Sequence, residues 1–313
     1  MSAARAVVFA YHDVGVRCLK TLISGGVEVP LVVTVADDPN ETQWFASVAA
    51  TAADYGIPTV TPADADTPEL QRKLSELQPD FIFSFYYRSM LSSQLLSTAR
   101  RGALNMHGSL LPKYRGRAPV NWAILRGERE TGATLHYMVE RADAGEIVDQ
   151  LAVPILQDDE AREVFAKVTV AAETVLARSL PGLIAGTAPR RIQPIEPGQY
   201  FGRRRPEDGR IDWSWPARRI HDLVRAVAPP FPGAFADVGG DRWAIHKTRV
   251  VDRTVAPRAH ARMVALEGRC YVECCDGSVL QLLDLATDKG PLNLAALTTE
   301  LSAKPRILPR IPT

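Results

Sequence analysis

The residue pattern predicts an α/β protein with a mostly parallel, Rossmann-like sheet in its first part and a small β-barrel domain after it. Apolar strands alternate with helical segments over residues 6–86. Those strands are apolar throughout rather than at every second position, the mark of a parallel sheet covered on both faces. Beyond residue 233 the pattern changes to five short strands in succession, which suits a small barrel.

Ala6 to Tyr11 is a Val- and aromatic-rich strand. Val16, Leu19, Leu22 and Ile23 then recur at helical spacing until Gly25-Gly26 stops them. Val29 to Val35 is a second strand, Trp44 to Tyr55 a helix, Pro58 to Thr61 a short strand, Glu69 to Leu77 a helix and Phe81 to Tyr86 a buried strand. Gly102 to His107 reads as another short buried strand. Thr131 to Val139 alternates as a strand, Arg141 to Gly145 is a turn, and Ile147 to Ile155 is a strand. A long helix spans Glu160 to Ile184, interrupted near Pro181 and ended by Gly186. Pro189 to Pro197 reads as a linker. Ile211-Asp212-Trp213 leads to a helix over Ala217 to Val227, followed by strands at Ala234–Val238, Trp243–Val250, Met263–Ala265, Cys270–Cys274 and Val279–Leu285. The last dozen residues hold three prolines and are expected to be extended. The expected boundaries are residues 1–188 for the first domain, 189–205 for the linker and 206–313 for the second domain.

Composition narrows the functions. With 37 Lys and Arg against 36 Asp and Glu in 313 residues, the net charge of +1 supplies no global field for nucleic acid or an acidic membrane. Unbroken apolar runs fall short of the ~20 residues that cross a bilayer, and the amino terminus reads as a strand rather than an export signal. A cytoplasmic protein without membrane insertion is therefore expected. Cys18, Cys270, Cys274 and Cys275 show no paired CxxC spacing, so they read as reduced thiols and no metal site is expected. Neither a Gly-x-Gly-x-x-Gly turn after a strand nor a Walker loop occurs, which leaves a nicotinamide cofactor or ATP unsupported.

The chemistry concentrates between Asn105 and Asp143. Residues two apart on a strand share a face, so Asn105 and His107 can enter one pocket at the strand end. Gly108 turns the chain, and Pro112 and Pro119 stiffen a basic loop carrying Lys113, Arg115 and Arg117. Asp143 follows His107 by 36 residues, in a turn that can fold back over the site. An amide, an imidazole and a carboxylate are the groups needed to move an acyl group between nitrogens. Tyr11-His12-Asp13, Tyr86 to Leu91 and Asn105 to Arg117 all follow strand ends, where open α/β sheets bind ligands. His12 and His136 receive no role, and adjacent Tyr11, His12 and Asp13 do not converge on one atom as a triad would.

The run Asn105-Met106-His107-Gly108-Ser109-Leu110-Leu111-Pro112-Lys113-Tyr114-Arg115-Gly116-Arg117-Ala118-Pro119, with downstream Ala142-Asp143-Ala144-Gly145, resembles the 10-formyltetrahydrofolate-dependent formyltransferases. The segments Phe9 to Asp13, Ile82 to Arg88, Phe201 to Arg204, Val224 to Ala228 and Pro232 to Phe235 look like the ArnA-type branch, the UDP-4-amino-4-deoxy-L-arabinose formyltransferases of lipid A modification and polymyxin resistance. The resemblance covers roughly the first 240 residues. It implies that the small barrel is OB-like and that 10-formyltetrahydrofolate is the cosubstrate. It gives Asn105, His107 and Asp143 the catalytic roles, Asn105 as oxyanion donor beside a His107 that Asp143 keeps protonated. It puts the folate against Ser89, Met90, Leu91, Arg117, Val139, Glu140, Arg141 and Ala142. Arg203, Arg204 and Arg225 carry guanidinium forks suited to the diphosphate of a nucleotide-linked amino sugar.

Other acceptors share this machinery. A dTDP-linked amino sugar differs from a UDP sugar by one methyl group of the base. Methionyl-tRNA formyltransferases carry a basic insertion after the second strand, whereas residues 36–43 here are acidic. From residue 206 on, fifteen Lys and Arg stand against thirteen Asp and Glu, which argues against tRNA. Water in place of the amine would make a 10-formyltetrahydrofolate hydrolase. ArnA carries a second, decarboxylase half that this sequence lacks, so a separate decarboxylase is expected as a partner in the pathway.

Overall fold

The computed structural model describes residues 3–37, 43–196 and 200–308. The chain forms β1 (Arg5–Ala10), α1 (His12–Ser24), β2 (Glu28–Val33), α2 (Val48–Asp54), β3 (Thr59–Val60), α3 (Pro68–Leu77), β4 (Phe81–Phe85), α4 (Ser93–Leu96) and β5 (Gly102–His107). There follow β6 (Arg115–Gly116), α5 (Pro119–Leu125), β7 (Glu130–Tyr137), β8 (Ile147–Pro154), α6 (Ala161–Ala185) and β9 (Tyr200–Phe201). The rest comprises a 3-10 turn (Pro206–Gly209), α7 (Ala217–Ala226), β10 (Ala234–Val238), β11 (Asp241–Thr254), β12 (Arg262–Leu266), β13 (Arg269–Glu273), β14 (Ser278–Thr287), β15 (Gly290–Pro291), α8 (Leu294–Ala303) and β16 (Arg306–Ile307). Two compact units result: Met1–Pro119, Glu130–Pro154 and Phe165–Gly202 make one, and Val120–Arg129, Ile155–Val164 and Arg203–Thr313 make the other.

In the first unit the strand order is β3-β2-β1-β4-β5-β7-β8, with the first five parallel and β7 and β8 antiparallel. The all-apolar pattern has its cause in burial on both faces: Val7, Phe9, Ile82, Phe83 and Phe85 are fully buried in β1 and β4. Parallel pairing brings the carboxyl ends of β1, β4 and β5 to one edge of the sheet, where Ala10 meets Phe85 and Phe85 meets Met106 in register.

Caps decide two of the helix starts. Thr67 accepts from the Leu70 N–H at 3.3 Å, with Pro68 in the first helical position. The helix expected from Trp44 begins only at Val48, because Ser47 is extended and caps it by accepting from Ala50. Trp44 and Phe45 instead enclose His12, whose ring stacks on Phe45 at 4.0 Å and lies 4.3 Å from Phe165.

α6 runs through Pro181 without the expected interruption. Only one further turn follows the proline, and its carbonyls are held from outside: Arg101 Nη2 donates to Leu183 O at 2.6 Å and Ile184 O at 2.8 Å. Thr187 N–H closes the end on Gly182 O at 2.8 Å, a Schellman pattern around Gly186. By length and composition α6 could also cross a bilayer, although no unbroken apolar run reveals this. Its apolar residues cover a core face that buries Val168, Ala172, Val175 and Leu176, while Glu173 and Arg178 pair with Arg17 and Asp149 on the other side. The start of the segment expected as a linker is held to β8, where Arg191 and Ile147 exchange backbone hydrogen bonds of 2.9 and 2.8 Å, while residues 197–199 of that segment lie outside the described residues.

The second unit is an OB-like, wholly antiparallel sheet in the order β10-β11-β14-β13-β12-β16, curled round a core that includes Trp213, Ile220, Trp243, Met263, Val272 and Leu282. All five expected strands are present. The sequence reading missed α8, which Asn293 caps by accepting from Ala295 at 3.0 Å and Ala296 at 3.1 Å and which buries Leu297 and Leu301. In the proline-bearing tail, Arg306 and Ile307 pair with β12, and residues 309–313 lie outside the described residues. The cysteines are unpaired; burial pushes the Cys274 thiol up to about 12 and that of Cys18 further still.

His12 makes the first unit acid-sensitive. Burial first, and then Arg88, lower its pKa from 6.5 to about 3. As pH falls, the unfolded chain therefore takes up the proton before the folded one does. The stabilisation is complete above 6.5 and is lost as pH falls toward about 3, by up to roughly 1.4 kcal/mol per pH unit. The thermal midpoint is expected to fall across this window, and more gently in His12→Gln. Identical slopes would show that His12 is not the group responsible.

Candidate active site

Strand register assembles the site. β5 and β7 are antiparallel with Asn105 opposite His136 and His107 opposite Thr134. Opposed residues share a face, so these four side chains form one polar square at the carboxyl end of β5. His136 is 1% exposed and His107 6%. His136 Nδ1 lies 2.8 Å from its neighbour's carbonyl, Tyr137 O, which can only accept. Neutral His136 therefore carries its lone pair on Nε2, which accepts from Asn105 Nδ2 at 3.1 Å.

The loop after β5 is fixed by a chain of hydrogen bonds. Ser109 Oγ donates to Lys113 O and Thr134 Oγ1 to Ser109 O, both at 2.6 Å. Gln150 Nε2 donates to Leu111 O at 2.8 Å. This folding presents Tyr114 O to His107 Nε2 at 2.9 Å. Because a carbonyl only accepts, Nε2 carries the proton, and the lone pair of neutral His107 is on Nδ1.

Asp143 closes the site from a turn. Its backbone is left-handed, with φ of 52°, and Gln193 fastens the turn by donating to Asp143 O at 3.1 Å and Gly145 O at 2.6 Å. Gly145 is required there, because a Cβ would stand 1.8 Å from Tyr137 O. Gly116 N–H donates to Asp143 Oδ2 at 2.9 Å, and a Cβ on Gly116 would come within 2.2 Å of Phe201 O. The other oxygen, Oδ1, lies 3.4 Å from Asn105 Nδ2, 3.6 Å from His107 Nδ1 and 3.7 Å from His136 Nε2.

Burial opposes charge on both members of the His107–Asp143 pair, with different outcomes. For Asp143 burial pushes the pKa up, but His107, His136 and the Gly116 N–H outweigh it and hold the carboxyl well below the usual range. For His107 burial wins over the attraction of Asp143, and the pKa falls below 6.5. The 3.6 Å separation is longer than a strong ion-paired hydrogen bond, so the attraction of Asp143 does not repay the desolvation of a charged His107. The Asn105 Nδ2 lies 3.1 Å from His136 Nε2 and 3.4 Å from Asp143 Oδ1.

The remaining expected contacts divide. Ser89 and Met90 stand exposed after β4, and Leu91 packs on the apolar cluster around Val7, Phe9 and Leu31. Arg117, Val139, Glu140 and Arg141 are exposed and Ala142 half-buried, in the segments that flank Gly116 and Asp143. The three arginines expected at a diphosphate fall in the second unit, and Arg203 is exposed. Arg204 lies over the Trp122 ring at 5.1 Å and donates to Asp208 O at 2.9 Å. Arg225 does not suit that role: it is 2% exposed, pairs with Asp222 at 2.8 Å and donates to Asp159 O at 3.1 Å. Its charge is compensated by Asp222 inside the fold, and at 2% exposure the guanidinium does not reach a ligand at the surface.

Sequence reasoning missed His136, Gln193, Tyr114 O and the Gly116 N–H. One signal was available: Thr134 and His136 are polar at alternate positions of β7, between Ala133, Leu135 and Tyr137.

A mostly parallel sheet whose carboxyl edge gathers Asn105, His107 and Asp143, with an OB-like unit after it in the chain, defines the class. The formyl transferase family profile matches residues 5–180 and the formyl transferase C-terminal domain profile residues 204–300. The chain belongs to the formyl transferase family. Solved structures agree in fold. An N-formyltransferase from Helicobacter canadensis, in complex with folinic acid and dTDP-3-aminofucose, aligns with 90% of this chain and 99% of its own at TM-score 0.72 and 20% identity. WlaRD, a sugar 3N-formyl transferase determined with dTDP and 5-N-formyl-THF, aligns with 94% of this chain and 99% of its own at TM-score 0.71 and 20% identity. HypX from Aquifex aeolicus, in complex with tetrahydrofolic acid, aligns with 95% of this chain and 47% of its own at TM-score 0.61 and 19% identity.

The turn that carries Asp143 depends on a residue without Cβ. Gly145→Ala is expected to cost about 1–3 kcal/mol through the clash with Tyr137 O, lowering the thermal midpoint by several degrees. An unchanged midpoint would show that the turn does not need glycine.

Proposed function

We propose that the protein transfers the formyl group of 10-formyltetrahydrofolate to the amino group of a nucleotide-linked amino sugar, with UDP-4-amino-4-deoxy-L-arabinose as the acceptor. One observation carries the chemistry. In a formyl transferase chain, Asp143 Oδ1 lies 3.4 Å from Asn105 Nδ2 and 3.6 Å from His107 Nδ1 at the ligand-binding edge of the sheet. The sugar acceptor is supported by two solved structures of like fold, one holding dTDP-3-aminofucose and the other dTDP. UDP and the 4-amino pentose are supported by the flanking segments that resemble the ArnA-type branch. A dTDP-linked amino sugar is the second reading, favoured by those same two structures.

In this reaction the neutral amine attacks the formyl carbon, forming an N–C bond and a tetrahedral oxyanion. An Asn105 N–H stabilises the oxyanion. The 3.4 Å contact to Asp143 is at the limit of a hydrogen bond, so that N–H is the one released. Neutral His107 takes the ammonium proton on Nδ1, and the Asp143 carboxylate stabilises the imidazolium. The proton then passes to N10 of the folate as the C–N10 bond breaks, regenerating neutral His107. Charges and atoms balance without a covalent enzyme intermediate.

Purified protein is tested with 10-formyltetrahydrofolate and UDP-4-amino-4-deoxy-L-arabinose, dTDP-amino sugars and methionyl-tRNA side by side. Selective turnover of the UDP sugar is expected. Turnover of a dTDP sugar alone would move the assignment to the second reading, and turnover of tRNA alone, or formate release without transfer, would overturn both. Asn105→Ala and His107→Ala are each expected to lose on the order of 10²–10³ in kcat while remaining folded; near-parental turnover would remove the residue from the mechanism. A base with a depressed pKa also sets the pH dependence. Activity is expected to hold as pH falls through 6.5 and to decline only below it, as His107 gains a proton. Activity that instead rises as pH falls through 6.5 would mean that the imidazolium is the working form.

A further inference from the structure

Arg115 is 3% exposed, yet its Nε and Nη1 have no hydrogen-bond partner among the described residues. No carboxylate among the described residues forms an ion pair with it within 4.0 Å. A guanidinium stays protonated at any physiological pH, and a buried, unpaired charge costs several kcal/mol. The chain nevertheless constrains it there. Arg115 pairs with Tyr200 in the short β6–β9 ladder, and Arg117 N–H donates to Phe201 O at 2.9 Å. Tyr114 and Ala118, on either side, are both left-handed, with φ of 56° and 52°. Arg115 also stands between the two backbone groups that hold the site, the carbonyl that accepts from His107 and the N–H that donates to Asp143. Arg141 repels it and Asp143 attracts it, while burial depresses its pKa. Two cations and orphaned N–H donors beside a reaction centre call for an anion.

We infer that Arg115 binds a phosphate oxygen of the acceptor's diphosphate, so that the acceptor must carry phosphate on the same ring as its amine. This rests on the sugar-nucleotide reading above. In such an acceptor a single sugar ring separates the attacking nitrogen from phosphate, which brings the anion within reach of a residue bracketed by the His107 and Asp143 contacts. The carboxylates of formyltetrahydrofolate lie beyond an aminobenzoyl group, farther from the reacting carbon. A guanidinium fork suits phosphate oxygens better than a point charge would.

The test is titration calorimetry of UDP, dTDP, inorganic pyrophosphate and folinic acid with the wild-type protein, Arg115→Gln and Arg115→Lys. Wild-type protein is expected to bind a nucleoside diphosphate in competition with pyrophosphate. Arg115→Gln should weaken the nucleotide by about 10- to 100-fold and leave folinic acid within about twofold. Arg115→Lys keeps the charge without the fork and should recover part of the loss; should the Gln variant fail to fold, the Lys variant decides by a smaller loss of the same sign. Unchanged nucleotide affinity in a folded variant, or weakened folinic acid instead, would overturn the assignment, as would a fall in kcat with both affinities intact. Wild-type protein that binds folinic acid but neither nucleotide would overturn the sugar-nucleotide acceptor itself, a result distinguishable from the failure of Arg115 alone.

Discussion

The Asp143 carboxylate occupies a place from which burial would drive it into the neutral form. The His107 imidazole, once it carries a proton, and a backbone N–H from Gly116 reverse that tendency. Each requires another part of the fold to be in place. Gly116 reaches Asp143 because the loop after β5 is pinned through Ser109, Thr134 and Gln150. His136 is in range because β7 runs antiparallel to β5 in one particular register. The Asp143 turn itself is left-handed and tied by Gln193.

The same environment separates the titrations of neighbouring groups. Asp143 stays ionised and His107 stays neutral, although each would favour charge on the other. The difference lies in hydrogen bonding. Asp143 collects donors, whereas His107 has one proton engaged on Tyr114 O and a lone pair held 3.6 Å from the carboxylate. A site with an ionised carboxylate and a neutral imidazole is poised to receive a proton during reaction, without holding one beforehand.

Buried charge recurs in the second unit with the opposite meaning. Arg225 is as deeply buried as Arg115 and its Nη2 also lacks a hydrogen bond, but Asp222 pairs with it at 2.8 Å and the Asp159 carbonyl accepts from it, so its charge is compensated within the fold. Among the described residues Arg115 has no such carboxylate, and its Nε and Nη1 lack a hydrogen bond. In the sequence Arg115 belongs to a basic loop and Arg225 to an amphipathic helix, and neither context reveals burial. Burial does not distinguish them either; the accounting of donors and acceptors does.

Much of the architecture was legible from local pattern, because strand hydrophobicity, helix period and caps act over a few residues. The parallel sheet, the five later strands and the pairing of Asn105 and His107 on one face all follow from such short-range rules. Those rules fail where a distant group intervenes: at Trp44 and Phe45, which the His12 cluster claims, and at Pro181, whose last turn Arg101 supports. α8 has in Asn293 one local start signal and is defined otherwise by the burial of Leu297 and Leu301. The chain alone thus determined which residue types could perform the chemistry and on which strands they sit. Protonation states, the place of His136 and the divergent fates of Arg115 and Arg225 were decided by tertiary contact, because desolvation and hydrogen-bond completion depend on groups remote in the chain.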